Sequence, residues 1–201
     1  MRTGGSTMEK AAMPRGRHYP ALLAALVFTL SGCATTYGLG QAALDEGRYA
    51  DAAAKFETAL KERPERTDAL VGLGITRYKQ QGYDEAIANL SQAVSQDPKR
   101  ADARLYLGLS YLERGDNGAA AEQLRAFRGL AHSAGIAGQV DDALELIQGD
   151  HAALSQKTRR FVAASLEFAV KAEQDRRNAQ WASSMWPYDG YDNWFYWDLT
   201  R

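Results

Sequence analysis

Gly40, Gly74 and Gly108 are evenly spaced along the chain, each preceded by a leucine (Leu39, Leu73, Leu107) and followed twelve positions later by an alanine (Ala52, Ala86, Ala120). Tyr49 and Tyr83, Ala59 and Ala93, and Pro64 and Pro98 keep the same interval. Glycine supplies only 18 of the 201 residues, so three at one period, in step with leucine, tyrosine and proline, mark a repeated unit. The alanine matches weigh less, because the chain is rich in alanine. A glycine inside a helix costs about 1 kcal/mol relative to alanine. Its recurrence at one register therefore implies that a neighbouring helix backbone passes too near for a side chain. On this reading Ala52, Ala86 and Ala120 are the small residues facing it, while Phe56, Leu90 and Leu124 fill the larger gap beside them. Pro64 and Pro98 stop the second helix before the next unit begins.

These residues resemble the tetratricopeptide repeat, a helix–turn–helix unit of about 34 residues whose pattern runs Leu-Gly, Tyr, Ala, Phe, Ala, Pro. The resemblance spans residues 33–66, 67–100 and 101–134. It implies an all-α fold: a helical-hairpin solenoid of about three repeats, followed by C-terminal capping helices over 135–180 and an aromatic-rich tail over 181–201. The third unit departs from the pattern, with Asn117 in place of Tyr, Phe127 in place of Ala and His132 in place of Pro, as a terminal repeat does when it closes a stack. The repeat register places Tyr37, Gln41 and Leu44 of the first unit on a concave wall with Val71, Ile75 and Tyr78 of the second and Leu105, Leu109 and Leu112 of the third. That wall is mostly apolar. Tyr37 and Gln41 stand where some repeats of this family carry the Lys and Asn that clamp a terminal carboxylate, so the better-matched ligand is a helix or an aromatic segment. The protein's own C-terminal helix or tail is an alternative occupant.

Ahead of the repeats, Arg15 and Arg17 precede the mostly apolar run 21–30, which ends in Leu30-Ser31-Gly32-Cys33. A basic region, a short apolar run and small residues read as an export signal over 1–32, since a membrane span needs about 20 apolar residues. Leu-Ser-Gly-Cys also resembles the bacterial lipoprotein signal, which implies acylation of Cys33, the only cysteine in the chain. Ala34 after it, where Asp would favour retention, implies delivery to the outer membrane of a Gram-negative cell, facing the periplasm. Met13 is an alternative start to Met1. The alternative reading of Cys33 is an ordinary buried thiol.

Removal of 1–32 takes away Arg2, Lys10, Arg15, Arg17 and Glu9 and leaves 20 basic and 24 acidic residues, a net charge of −4. No basic stripe is present, so a nucleic-acid partner is not expected. His132 and His151 belong to no metal-ligand pair or nucleophile motif, and adjacent Asp141-Asp142 and Asp150-His151 diverge on a helix. No catalytic residue, metal or cofactor is expected.

Gly135 and Gly138 mark a loop before a short helix over 139–148, in which Val140, Leu144 and Ile147 form the apolar stripe. A longer helix is expected over 153–179. Leu154, Phe161 and Phe168 recur every seven residues, with Val162, Leu166, Ala169 and Val170 widening their stripe and Arg159, Arg160, Glu167 and Lys171 facing elsewhere. The helix either caps the stack or forms a dimer seam. All four tryptophans fall in the tail, where Trp181, Trp186, Tyr188, Tyr191, Trp194 and Trp197 stand among aspartates. Rings of this size need a receiving surface: the repeat stack itself, another protein, or a glycan or lipid face. The function expected is a lipid-anchored, non-catalytic scaffold or adaptor that binds envelope proteins in its groove, such as parts of an assembly or secretion machine. The alternative is a peptidoglycan-associated module that uses the aromatic tail.

Overall fold

The computed structural model describes residues 35–149 and 154–185, and among them all regular structure is helical. Eight helices follow in order: α1 (Thr36–Asp45), α2 (Tyr49–Glu62), α3 (Thr67–Lys79), α4 (Tyr83–Gln96), α5 (Ala101–Arg114), α6 (Asn117–Leu130), α7 (Ala134–Gln148) and α8 (Gln156–Met185). The first six pair as hairpins α1–α2, α3–α4 and α5–α6, and each second helix also packs on the first helix of the next hairpin. Helices α1, α3 and α5 touch in series, so the three first helices line one continuous inner face.

The periodic glycines make room for a side chain more than for a backbone. A Cβ on Gly40 would stand 2.9 Å from Phe56 Cδ1, one on Gly74 2.5 Å from Leu90 Cγ, and one on Gly108 2.9 Å from Leu124 Cγ. Gly108 also has a backbone neighbour, Ala120 O at 3.4 Å. Phe56, Leu90 and Leu124 are all completely buried. The opposing glycine of each hairpin thus lets one large residue of the second helix sit against the first. Ala52, Ala86 and Ala120 are equally buried beside them. Gly72, which the period did not single out, receives the same Phe56 ring from the other side, with a hypothetical Cβ 2.5 Å from Cζ. Its counterpart in the next unit is Tyr106, opposite the shorter Leu90.

The turn inside each hairpin repeats as faithfully. Gly47, Gln81 and Gly115, which keep the same period, have φ of 74°, 64° and 93°. In each, the amide of the left-handed residue donates to a carbonyl three back (Leu44, Tyr78, Leu112), and the next amide donates to one five back (Ala43, Arg77, Tyr111), at 2.8–3.0 Å. This double bond satisfies carbonyls that a helix end leaves orphaned. Gln81 holds with a side chain a conformation that its two counterparts reach with glycine. That costs about 1–2 kcal/mol.

Helix α7 begins at Ala134, five residues before the start read from the sequence. Gly135 and Gly138 lie inside it instead of marking a loop. Burial explains the difference: Ile136 joins Val140, Ala143, Leu144 and Ile147 in one stripe packed on α6. Helix α8 starts behind Ser155, whose Oγ accepts the Thr158 amide at 3.1 Å as an N-terminal cap, and continues past the expected end through Trp181 to Met185. Its orientation also differs from the reading above. Phe161 and Phe168 are 68% and 76% exposed, while Val162, Ala163, Leu166 and Ala169 are buried and Glu167 faces inward.

Three stability predictions arise. Alanine at Gly138, where a Cβ meets nothing within 4 Å, gains about 0.5–1 kcal/mol of helix propensity. The same change at Gly74 loses about 1–2 kcal/mol, because overpacking against Leu90 outweighs that gain. Urea titrations of the two variants should therefore shift in opposite directions. Gln81→Gly removes the left-handed strain and raises the unfolding free energy by about 1 kcal/mol in the same assay.

Candidate binding groove

Accessibility falls steadily along the inner face. In the first hairpin Tyr37, Gln41 and Leu44 are half-buried; in the second Val71 and Tyr78 are buried and Ile75 is half-buried; in the third Leu105, Leu109 and Leu112 are covered. Of these nine positions, the three of the first hairpin and Ile75 of the second remain accessible.

Helix α8 is what covers the rest. It packs on α7 and crosses back onto α5, and Val162, Ala163, Leu166 and Ala169 enter one core with Leu105, Leu109 and Leu112. Of the alternatives raised by the sequence, the C-terminal helix is thus the occupant of this end. Small residues explain the fit, since Ala163 and Ala169 let the helix approach a wall already filled by leucines. Phenylalanine at those places would not fit, and Phe161 and Phe168 face away.

A polar cluster fixes the contact. Lys79 Nζ pairs with Glu167 Oε1 at 2.6 Å and also lies 5.7 and 5.9 Å from the ring centroids of Tyr78 and Tyr106. Those two rings meet edge-on at 5.4 Å, and the Tyr83 ring lies tilted at 5.9 Å from that of Tyr78. Burial, reinforced by the charge of Glu167, pushes the hydroxyls of Tyr78 and Tyr106 well above the usual tyrosine range, so both remain neutral donors. Nearer the start of α8, Glu113 is buried, which raises its carboxyl pKa against the opposing pull of Arg160 and Arg159. Its Oε2 has no hydrogen-bond partner among the described residues, nor has Arg159 Nε, although an Arg159 amine donates to Leu154 O at 2.7 Å.

The open end has different chemistry. Tyr37 packs on Phe56 at 5.8 Å, and the Arg66 guanidinium lies 4.3 Å over its ring. Burial, then the charge of Asp68, raises its hydroxyl pKa. Gln41 donates to Asp45 at 3.1 Å. Arg100 bridges Asp68 and Asp102 at the rim. The sequence reading missed Lys79, Glu113 and Glu167. A signal existed for the first two: Asp45, Lys79 and Glu113 keep the repeat period, one charged residue per unit on the inner face. Glu167 lies outside the period and had none.

Cys33 and the tail residues Trp186, Tyr188, Tyr191, Trp194 and Trp197 lie outside the described residues, as does His151. Among the described residues no three His, Cys, Asp or Glu side chains converge as a metal site, and no helix is long and apolar enough to cross a membrane.

Comparison with known proteins agrees with this architecture. The family model described as tetratricopeptide repeat matches residues 37–80 and 71–134. The fold resembles the Yersinia enterocolitica type III secretion translocator chaperone SycD, at 23% identity and TM-score 0.53 over 56% of this chain and 81% of that one. It also resembles the TPR2B domain of yeast Sti1, solved as a complex with pHsp70, at 18% identity and TM-score 0.53 over 58% and 95%. A third likeness is the O-GlcNAc transferase of Thermobaculum terrenum, at 19% identity and TM-score 0.52, where 65% of this chain covers 25% of that one. No curated protein matches the sequence. Residues 37–134 match the tetratricopeptide repeat and fold as a helical-hairpin solenoid whose inner face is half filled by the chain's own C-terminal helix.

Proposed function

We propose that this protein is a non-catalytic, lipid-anchored adaptor of the cell envelope, which docks a segment of another envelope protein on the open end of its inner face. The observation that carries the reading is the gradient of accessibility. Tyr37, Gln41, Leu44 and Ile75 present a mixed aromatic, amide and aliphatic strip, and the rest of the same face already holds a helix. A face that seats one helix has the width and chemistry for a second segment beside it. Support also comes from the solved likenesses, of which one is a translocator chaperone and another was solved bound to pHsp70.

The anchor and the location rest on the sequence: Arg15 and Arg17, the apolar run 21–30 and the motif Leu30-Ser31-Gly32-Cys33. Acylation at Cys33 with two or three chains holds a protein durably at a bilayer, where a single chain holds it marginally. Ala34 behind it favours the periplasmic face of the outer membrane. From there the repeats would meet parts of an assembly or secretion machine.

Two outcomes are expected. Cys33→Ala moves the protein from the membrane fraction to the soluble periplasm, and unchanged fractionation rejects the anchor. A photo-cross-linking amino acid at Gln41 yields an adduct with an envelope protein in whole cells, whereas one at exposed Lys55 on α2 yields none. Equal labelling at both positions, or none at either, rejects the groove as the docking site.

A further inference from the structure

We propose that the inner face of α3 and α5 is a receptor for an amphipathic helix that carries one inward carboxylate, and that α8 fills it as an internal ligand which a partner helix of the same chemistry displaces. The inference deepens the adaptor reading and rests on it.

The seat is specific in shape and in charge. Val162, Ala163, Leu166, Ala169 and Val170 supply one stripe of small and branched apolar residues, and all but the last are buried against Leu105, Leu109 and Leu112. One step along from Leu166, Glu167 enters the site with its carboxylate against Lys79 and beside Tyr106. A competing helix therefore needs an apolar stripe of that spacing and one carboxylate placed for a lysine held between two tyrosine rings. A cation in place of that carboxylate would meet Lys79, and a bulky aromatic face would overfill the wall, while nearer the start of the helix Arg159 and Arg160 act on Glu113.

The same geometry makes the occupant removable. Helix α8 is an appendage to the hairpins: its backbone runs close to α5 and α7, it reaches α3 through Glu167, and most of its length beyond Lys171 is exposed. Among the described residues, the ion pair that joins it to the second hairpin is Lys79–Glu167, whose side chains are 30% and 20% exposed. Removing one partner of such a pair leaves a partly desolvated charge without compensation. Half-buried Ile75 packs on the same core as the seat, and an incoming helix gains contact there before α8 leaves. An occupied site lowers apparent affinity by the fraction of molecules that are open.

The test uses the full-length protein and a labelled peptide carrying residues 156–175. The native chain should bind it weakly. E167K, which sets a second cation against Lys79, should bind it at least tenfold more tightly, and the double charge reversal K79E/E167K should return to weak binding, because it restores the internal pair and repels the native peptide. Hydrogen exchange should show faster amides over 160–170 in E167K and renewed protection over 105–112 when peptide is added; circular dichroism confirms that each variant is folded. Equal affinity of the native chain and E167K, or unchanged exchange over 160–170, overturns the inference. Cross-linking at Gln41 is independent of these readouts. Adducts there without a peptide effect refute the displaceable helix alone, and peptide binding without adducts refutes the adaptor reading alone.

Discussion

One side chain per hairpin organises this protein: Phe56, Leu90 and Leu124 each press into a place on the neighbouring helix where glycine has removed the Cβ. The helices of a hairpin can come that close only because the opposing residue has no side chain, and the large residue then excludes water completely. Truncating such a residue to alanine costs about 3–5 kcal/mol for phenylalanine and about 2–5 kcal/mol for leucine. Phe56 does this twice, between Gly40 and Gly72, and so ties the first hairpin to the second. Stacking follows from the same contact, and the left-handed turns at Gly47, Gln81 and Gly115 keep each hairpin at the angle that the contact requires.

Stacking three such units creates a difficulty at the third. Its inner wall is leucine at all three groove positions, while the first unit has Tyr37, Gln41 and Leu44 there. Burying a leucine side chain is worth about 1.5–3 kcal/mol, so an uncovered wall of three would favour association or a covering segment. Helix α8 is that segment. It closes the stack from the inner side, and it thereby links the stability of the last repeat to the occupancy of the groove. The first unit, with a more polar wall, needs no such cover and is left accessible.

Much of this was legible beforehand. The period located the glycines, the large residues behind them and the prolines that end α2 and α4, because those depend on contacts that recur with the repeat. The turn at Gln81 was not legible, since glutamine hides a left-handed position that Gly47 and Gly115, one period to either side, disclose only after one φ is known. The start of α7 was misread because Gly135 and Gly138 are exposed, and the burial of Ile136 decides the helix there. Of the groove, the nine wall positions were named, but not which of them stay open or that Glu167 reaches Lys79.

The amino-acid sequence by itself determined the repeat, its period and the helical hairpin, because close helix contact demands small and large residues at fixed intervals along the chain. Tertiary structure alone decided which side of α8 is buried. Both the Phe161–Phe168 stripe and the Val162–Leu166–Ala169 stripe satisfy helical periodicity, and they lie about 100° apart. The space above Leu105, Leu109 and Leu112 admits only the smaller set, so the choice belongs to the shape of the wall and not to either stripe.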